Sequence, residues 1–205
     1  LFRLVGSEMC IRDSPYILLN DKSSPLLYVA QSGLLGNNLP THKSQFLVQK
    51  RNYNMNSEKL FVPLEFENNF VKVTKTYEFT PGSYVIKLSY NILNKDKNSL
   101  ESTSYMQLIH DGESNQGSAM MPSFTGTAFY NENEKFTKLA FDDVDKESFS
   151  LITDNGWIGI IQRYFASAWI LPDKQEREFY SKKVADNIYA SGVITKIDDI
   201  STNTP

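Results

Sequence analysis

The sequence predicts an all-β fold, an antiparallel β-sandwich, and two observations support this prediction. About a dozen short apolar or alternating segments recur at spacings of about 8–12 residues and are separated by turn residues, a pattern typical of antiparallel sandwiches. The chain of 205 residues also contains 11 tyrosines and 13 phenylalanines, and aromatic side chains favour strands.

The clearest predicted element is a hairpin over residues 70–93. Apolar and polar side chains alternate in Phe70–Phe79, although Lys75 interrupts the apolar face. The turn Thr80-Pro81-Gly82-Ser83 follows, and Tyr84–Leu93 resumes the alternation. A period of two on both sides of a Pro-Gly turn indicates two paired antiparallel strands.

Shorter strands are predicted before this hairpin. Tyr16–Leu19, Leu26–Gln31 and Phe46–Lys50 are short apolar segments bounded by polar turns. Lys59–Glu67 alternates clearly, and Pro63 within it indicates an edge strand or a bulge because proline cannot donate a backbone hydrogen bond.

The second half of the chain continues the pattern of short segments between turns. One alternative stays open there, since Gln175–Ala190 also fits a helix. The predicted strands are Leu100–Ile109, Thr127–Tyr130, Lys135–Phe141, Phe149–Thr153, Phe179–Val184 and Ile188–Ile197.

The longest nearly uncharged segment is Gly156–Pro172, GWIGIIQRYFASAWILP, with Arg163 as its only charge. It is too short to span a membrane, which takes about 20 apolar residues. Large aromatic side chains dominate core energetics when they are buried, so we expect this segment at the centre of the core. The side chains expected to be mostly buried are Trp157, Tyr164, Phe165 and Trp169, joined by Ile86, Leu88 and Tyr90.

The secondary structure of Gly156–Pro172 is ambiguous from its pattern. Its apolar residues recur at helical spacing. In contrast, Asp154-Asn155-Gly156 is a strong tight-turn signal, and two strands joined near Gln162-Arg163 fit equally well.

Composition excludes several classes of function. The formal net charge is -3 without a basic block, so nucleic acid is not an expected partner. The single cysteine, Cys10, excludes an intramolecular disulfide, and one cysteine with two histidines excludes a Cys/His zinc site. We expect no cofactor and no metal.

Few residues suggest catalysis. His110 precedes Asp111-Gly112 at a predicted strand end, where a catalytic histidine is plausible, but a half-exposed structural histidine fits better. His42 lies in a polar loop, where a structural role fits better still. The acidic group Asp142, Asp143 and Asp145 does not match a calcium-binding loop and is interpreted as a solvated turn.

Residues 1–14, LFRLVGSEMCIRDS, have neither strand alternation nor a helical face. The EMCIRDS portion resembles translated sequencing-adapter read-through. We therefore expect residues 1–14 to be a non-native leader. We expect residues 15–205 to carry a partial domain that is truncated at both ends.

Several motifs resemble one known family. Gly156–Pro172 closely resembles the signature of the periplasmic domain of the bacterial YidC membrane protein insertase family. Four further stretches match it in the same order, and the resemblance covers about residues 15 to 200. These stretches are Tyr28–Gly36, Lys75–Phe79 leading to Gly82–Tyr84, Phe124–Tyr130, and Glu134–Phe136 followed by Lys138–Asp142.

The resemblance implies a β-supersandwich similar to galactose mutarotase and other sugar-binding folds, with Gly156–Pro172 as strand, turn and strand. It implies no catalytic, cofactor-binding or metal residue in this chain, because the insertase activity resides in a membrane core that lies outside it. The residues it marks as a structural signature are Gly156, Trp157, Tyr164, Phe165, Trp169 and Pro172.

The function implied is that of a non-catalytic periplasmic module of an inner-membrane insertase, which assists insertion and folding of inner-membrane proteins. The expected partners are the Sec translocon with its accessory proteins, and nascent inner-membrane proteins through the membrane core. The alternative, suggested by fold analogy alone, is a sugar-binding or mutarotase-like enzyme. That chemistry needs a histidine and a carboxylate, and only His110 could serve as the histidine.

Overall fold

The computed structural model describes residues 19–21, 27–56, 58–112, 124–162 and 165–202. This part of the chain folds into antiparallel sheets with one short helix, which confirms the all-β prediction. In chain order the elements are β1 (Tyr28–Leu35), β2 (Leu47–Val48), β3 (Leu60–Glu67), β4 (Val71–Phe79), β5 (Ile86–Asn94), β6 (Leu100–Asp111), β7 (Gly126–Asn131), β8 (Lys135–Ala140), α1 (Phe141–Lys146), β9 (Phe149–Thr153), β10 (Trp157–Gln162), β11 (Phe165–Ile170), β12 (Arg177–Ala185) and β13 (Ile188–Ile200).

The strands form three sheets. Sheet I has the order β1-β6-β13-β12-β9, sheet II the order β11-β10-β7-β8, and sheet III the order β2-β3-β4-β5. Sheets I and II pack face to face, and sheet III packs on the end of sheet I that holds the C-terminal part of β13. The described chain is therefore a sandwich extended by a third sheet.

The main core lies between sheets I and II. One cluster centres on Ile158, Phe129 and Phe179, and a second centres on Ile160 and Tyr189 beside α1. Both clusters draw on alternate residues of each strand, because successive side chains of a strand point to opposite faces.

A separate core joins sheet III to sheet I. Leu34 of β1 packs with Val71, Val73 and Ile92 of sheet III, against Ile197 at the end of β13. This core covers only one end of the inner face of sheet III, where β4 begins and β5 ends.

The hairpin predicted over residues 70–93 is confirmed as β4 and β5, paired from Val71↔Asn94 to Phe79↔Ile86. The structure also explains the edge position that Pro63 suggests for part of β3 in sheet III. The short strand β2 pairs only with Leu64 and Glu65 of β3, so the Pro63 end of β3 has a sheet partner on β4 alone among the described strands.

The Gly156–Pro172 segment forms β10 and β11, so its helical interpretation is wrong. The expectation that its aromatic residues are mostly buried is wrong for Phe165, which is 40% exposed because it begins an edge strand. Ile158 and Ile160 are fully buried, and Trp157 and Trp169 are largely buried, although Trp157 points away from sheet I. Tyr164 lies outside the described residues.

The expected partners of this core differ as well. Ile86 is 54% exposed, and Leu88 and Tyr90 are half-buried. All three share the inner face of sheet III; Tyr90 packs against the core shared with sheet I, whereas Ile86 lies beyond that core.

Two other segments differ from alternatives drawn from the sequence. Gln175–Ala190 is not a helix, because β12 and β13 occupy it. Asp142, Asp143 and Asp145 lie on the single turn-and-a-half helix α1 rather than in a solvated turn. Among the described residues, the structure contains no helix that is long and apolar enough to cross a membrane.

Candidate functional site

The signature segment is an antiparallel hairpin with two different faces. Its inner face carries Ile158, opposite Trp169 of β11 and Phe129 of β7, and it packs onto sheet I. Its outer face carries Trp157, whose ring centroid lies 6.1 Å from that of Phe136. The hairpin therefore supplies the cover of the core on one side and an aromatic surface on the other.

Gly156 is required by the way the chain enters this hairpin. Its φ is +87°, and a Cβ atom placed there would lie 1.8 Å from the carbonyl oxygen of Tyr130. The Asp154-Asn155-Gly156 turn does not join hairpin partners, as its residues suggest, but carries the chain from β9 of sheet I to β10 of sheet II. Asn155 fixes this crossing, since its Oδ1 accepts a hydrogen bond from the Glu132 N–H at 2.9 Å.

The exit of the hairpin is held beside its entry by Arg177, which is only 2% exposed. Its guanidinium donates to the carbonyl oxygens of Leu171 at 3.1 Å, Asp154 at 2.9 Å and Pro172, and its Nε donates to Gln175 at 2.8 Å. Burial lowers the pKa of Arg177, while the carboxylates of Asp173 and Asp154 oppose that effect.

Pro172 therefore contributes to the signature partly through its carbonyl oxygen, which accepts a hydrogen bond from Arg177. Sequence reasoning missed Arg177, because it follows a run of charged residues and looks like part of a solvated loop. One of the carbonyl groups that it binds, that of Asp154, lies in a different connection 23 residues earlier, and backbone carbonyl groups give no signal in the sequence.

A triangle of buried hydroxyl groups joins sheets I and II at the centre of the core. Thr127 Oγ1 lies 2.8 Å from Ser181 Oγ and 2.5 Å from Ser191 Oγ, and the two serines are 3.1 Å apart. All three residues are fully buried. Each hydroxyl can donate once within the triangle, so the polar groups are satisfied without water.

His110 is a buried structural residue, so the expectation of a half-exposed strand end is wrong. It is 2% exposed, and its ring stacks on Phe141 at a centroid distance of 5.4 Å. The Gln162 amide donates to Nε2 at 2.9 Å, which leaves Nδ1–H to donate to the carbonyl oxygen of Asp111 at 2.7 Å.

Burial lowers the pKa of His110, and this effect is opposed by its interactions with Asp111. The neutral tautomer thus uses both ring nitrogens inside the protein. A histidine in this state has no nitrogen to offer a sugar, so nothing in its geometry favours the mutarotase-like alternative.

Lys75 interrupts the apolar face of β4 because it has a specific partner. It is 7% exposed and donates to the carbonyl oxygen of Ser32 on β1 at 3.1 Å. Its ammonium also lies 5.3–5.8 Å from the ring centroids of Phe46, Tyr77 and Tyr90. Such cation–π contacts, together with the hydrogen bond, stabilise a buried ammonium between sheets I and III.

His42 lies beside this arrangement and is held by Tyr105. The Tyr105 hydroxyl lies 2.6 Å from His42 Nδ1 and accepts from the His42 backbone N–H at 2.9 Å. Burial, Lys43 and Lys75 lower the pKa of His42, in that order.

The acidic group on α1 forms ion pairs at the surface. Asp145 lies 2.8 Å from Lys183 Nζ and accepts from the Tyr189 hydroxyl at 3.2 Å. Asp143 pairs with Lys146 at 3.2 Å. Within the described ranges, no group of three or more His, Cys, Asp or Glu side chains is arranged to hold a metal ion.

Comparisons with known proteins agree with the motifs. A family model described as "YidC periplasmic domain" matches residues 8–204. The membrane protein insertase YidC of Methylobacillus flagellatus is 44% identical over 189 residues, which is 91% of this chain and 34% of that protein. The corresponding protein of Nitrosospira multiformis is 38% identical over 195 residues, covering 92% of this chain and 34% of the relative.

A third relative, from Nitrosomonas europaea, is 38% identical over 191 residues and is covered over 31% of its length. The chain thus spans about a third of the length of these curated relatives. Because the family model and the relatives match nearly the whole chain, the chain belongs to the YidC family, as its periplasmic domain.

Proposed function

We propose that this chain acts as a non-catalytic module on the periplasmic side of the bacterial inner membrane, as part of a membrane protein insertase. In this proposal it contacts the Sec translocon and its accessory proteins. The nascent inner-membrane proteins are handled by a membrane core outside this chain. The observation that carries the proposal is the match to the YidC periplasmic domain over residues 8–204.

The roles of the buried polar residues support a scaffold rather than an enzyme. Three buried ionisable side chains could be taken for catalytic acids or bases: Arg177, His110 and Lys75. Each of them is held by backbone or aromatic groups of the fold. An acid or base must reach the substrate with a free proton-accepting or proton-donating atom. These three residues instead hold connections and sheets together.

A chimera tests the proposed role. In the Methylobacillus flagellatus relative, the segment that matches this chain is replaced by residues 15–202, and a second variant lacks the segment. After crosslinking in cells, we expect the chimera to capture translocon subunits as well as the relative does, and the deletion variant to capture far less. Equal capture by the deletion variant would contradict the proposed contact.

The catalytic question has its own measurement. Purified chain should leave the rate of anomer interconversion of common aldoses unchanged, as followed by polarimetry. The control for an acceleration is His110→Gln, since His110 is the residue on which the enzyme alternative depends. An acceleration that this substitution abolishes would overturn the non-catalytic role.

A further inference from the structure

The connection between β4 and β5 projects apolar side chains into solvent. We define the hairpin tip as Thr80–Ile86. Tyr84 is 104% exposed, Val85 62% and Ile86 54%, and these three are consecutive. Most exposed apolar residues of a soluble domain are scattered singly, so three in succession at a protruding turn need an explanation.

The hairpin tip contains a hydrogen-bonded β-turn. The Ser83 N–H donates to the Thr80 carbonyl oxygen at 3.1 Å, and the Val85 N–H donates to Ser83 Oγ at 3.0 Å. Gly82 has a φ of +72° after Pro81, as a type II turn requires. The apolar side chains are thus presented on a preformed turn, and binding need not order it.

Apolar groups emerge on both faces of sheet III at this end. Ile86 lies on the inner face, in register with Phe79 and Leu60. Phe61 lies on the outer face and is 53% exposed. A groove on a protein partner would cover one face of the hairpin, whereas a lipid phase can surround both.

The charges next to the hairpin tip are balanced. Phe79–Ile86 contains no charged residue. At its base Lys59 lies 2.6 Å from Glu78, and Lys87 stands opposite Glu78 in the register. Glu58 precedes Lys59, so the two acidic and two basic side chains cancel, and attraction to a charged surface is not the driving force.

We propose that the hairpin tip inserts into the interfacial layer of a lipid membrane. Val85 and Ile86 enter the boundary between headgroups and acyl chains, and the Tyr84 ring lies at headgroup level with its hydroxyl in water. Tyrosine is enriched at this depth because one end of its side chain is apolar and the other is polar. The inference does not depend on the proposed contact with the translocon, but its orienting role rests on the proposed function, in which the chain is part of a membrane protein.

The contact is weak by itself, because binding of a peripheral segment scales with the apolar area it buries. Attachment to a membrane protein raises its effective concentration at the bilayer, so a weak contact still orients the domain. The role of the hairpin tip is therefore to set how the sandwich stands on the membrane.

The test uses the full 205-residue chain and vesicles of phosphatidylethanolamine and phosphatidylglycerol in a 3:1 ratio. Binding is measured by co-sedimentation at millimolar lipid, and insertion by a Tyr84→Trp variant with brominated lipids. Because Trp157 and Trp169 also emit, the parent chain is measured alongside, and we expect the additional emission of the variant to be blue-shifted and quenched. We also expect Tyr84→Ser with Ile86→Ser to lower partition about tenfold, as loss of about 1.4 kcal/mol of apolar burial predicts.

Matched controls remove equally exposed apolar groups elsewhere. Ile152→Ser on β9 and Ile170→Ser on β11 change residues that are 71% and 70% exposed, and both should leave partition unchanged. Partition should also be unchanged at 0.5 M salt and without phosphatidylglycerol, because the charges at the hairpin tip cancel.

Three results would overturn the proposal. The first is that the parent chain does not bind vesicles, or that the variant with Tyr84→Ser and Ile86→Ser binds them as well as the parent does. The second is binding that salt abolishes, which would indicate an electrostatic surface elsewhere. The third is a dimer in sedimentation velocity that the double substitution dissociates, because a second copy of this chain would then cover the tip.

Discussion

Arg177 Nη2 lies 2.9 Å from the carbonyl oxygen of Asp154 and joins the first residue of β12 to the turn that leads from sheet I into sheet II. The same guanidinium binds the carbonyl groups that follow β11. One side chain therefore ties the entry of the signature hairpin to its exit. Its fixed planar set of donors suits this role better than an ammonium group does.

Replacing Arg177 should strongly destabilise the fold. We expect Arg177→Met to lower the free energy of unfolding by about 3–5 kcal/mol, since several buried carbonyl groups lose a charged donor. Arg177→Lys should recover part of this loss, because an ammonium reaches fewer of the acceptors. The exposed Lys146→Met serves as the control in urea titrations; a loss for Arg177→Met as small as that of the control would contradict the role.

Two glycines with similar positive φ angles separate the effect of backbone strain from the effect of a steric clash at the Cβ position. Gly156→Ala should cost at least about 3 kcal/mol, because its Cβ would collide with the Tyr130 carbonyl and its φ is positive. Gly82→Ala has a similar φ, but no described atom lies within 4 Å of its Cβ position, so it should cost about 1 kcal/mol. Thermal unfolding of both variants tests this, and equal losses would show that the close approach is unimportant.

The inward face of β10 should matter more than its aromatic neighbours. Ile158→Ala should cost about 2–5 kcal/mol by creating a cavity in a fully buried cluster. Phe165→Ala should cost less than about 1 kcal/mol, because a side chain exposed at an edge leaves little cavity. Denaturant titration decides, and a larger loss at Phe165 would restore the view that the aromatic residues form the core.

The histidines should make stability depend on pH in a defined window. The folded-state pKa values of His110 and His42 are lowered from 6.5, so the unfolded chain binds protons first as the pH falls. Stability is therefore complete above about pH 6.5 and declines on acidification below it. Stability measured between pH 7.5 and 5.5 should show this slope, and His110→Gln with His42→Gln should flatten it; an unchanged slope would assign it to other groups.

Deletion can test the prediction that residues 1–14 do not contribute to the fold. If residues 1–14 are non-native, removing them should leave the midpoint of thermal unfolding unchanged; the family model, which matches from residue 8, makes residues 8–14 the part to resolve. A lower midpoint would show that these residues take part in the fold. A variant shortened by residues 203–205 controls for the effect of a new terminus.

Local signals predicted the fold class and the hairpin of β4 and β5 correctly. Their alternation and the Pro81-Gly82 turn lie within one short stretch, so neighbouring residues are sufficient to define them. The signature segment was harder, since both of its faces are apolar. Which face packs on sheet I depends on β7 and β12, which are not sequence neighbours of β10.

The polar features of the core were not predictable in the same way. Thr127 meets Ser181 and Ser191 across 54 and 64 residues of chain, and no single stretch of sequence joins them. His110 gave the opposite difficulty, because Asp111-Gly112 indicates a turn, yet β6 continues through Asp111 and carries the ring into the core. Long-range pairing rather than local preference decides such positions.

The buried ammonium of Lys75 has a mechanical consequence for the domain. Bending sheet III away from sheet I would withdraw this cation from the Ser32 carbonyl oxygen of β1, whereas the aromatic rings around the cation would move with it, because they lie on or beside strands of sheet III. It would also separate Leu34 from Val73 and Ile92. The contact between sheets I and III therefore resists bending, so a force applied to the hairpin tip is transmitted through sheet III to sheet I.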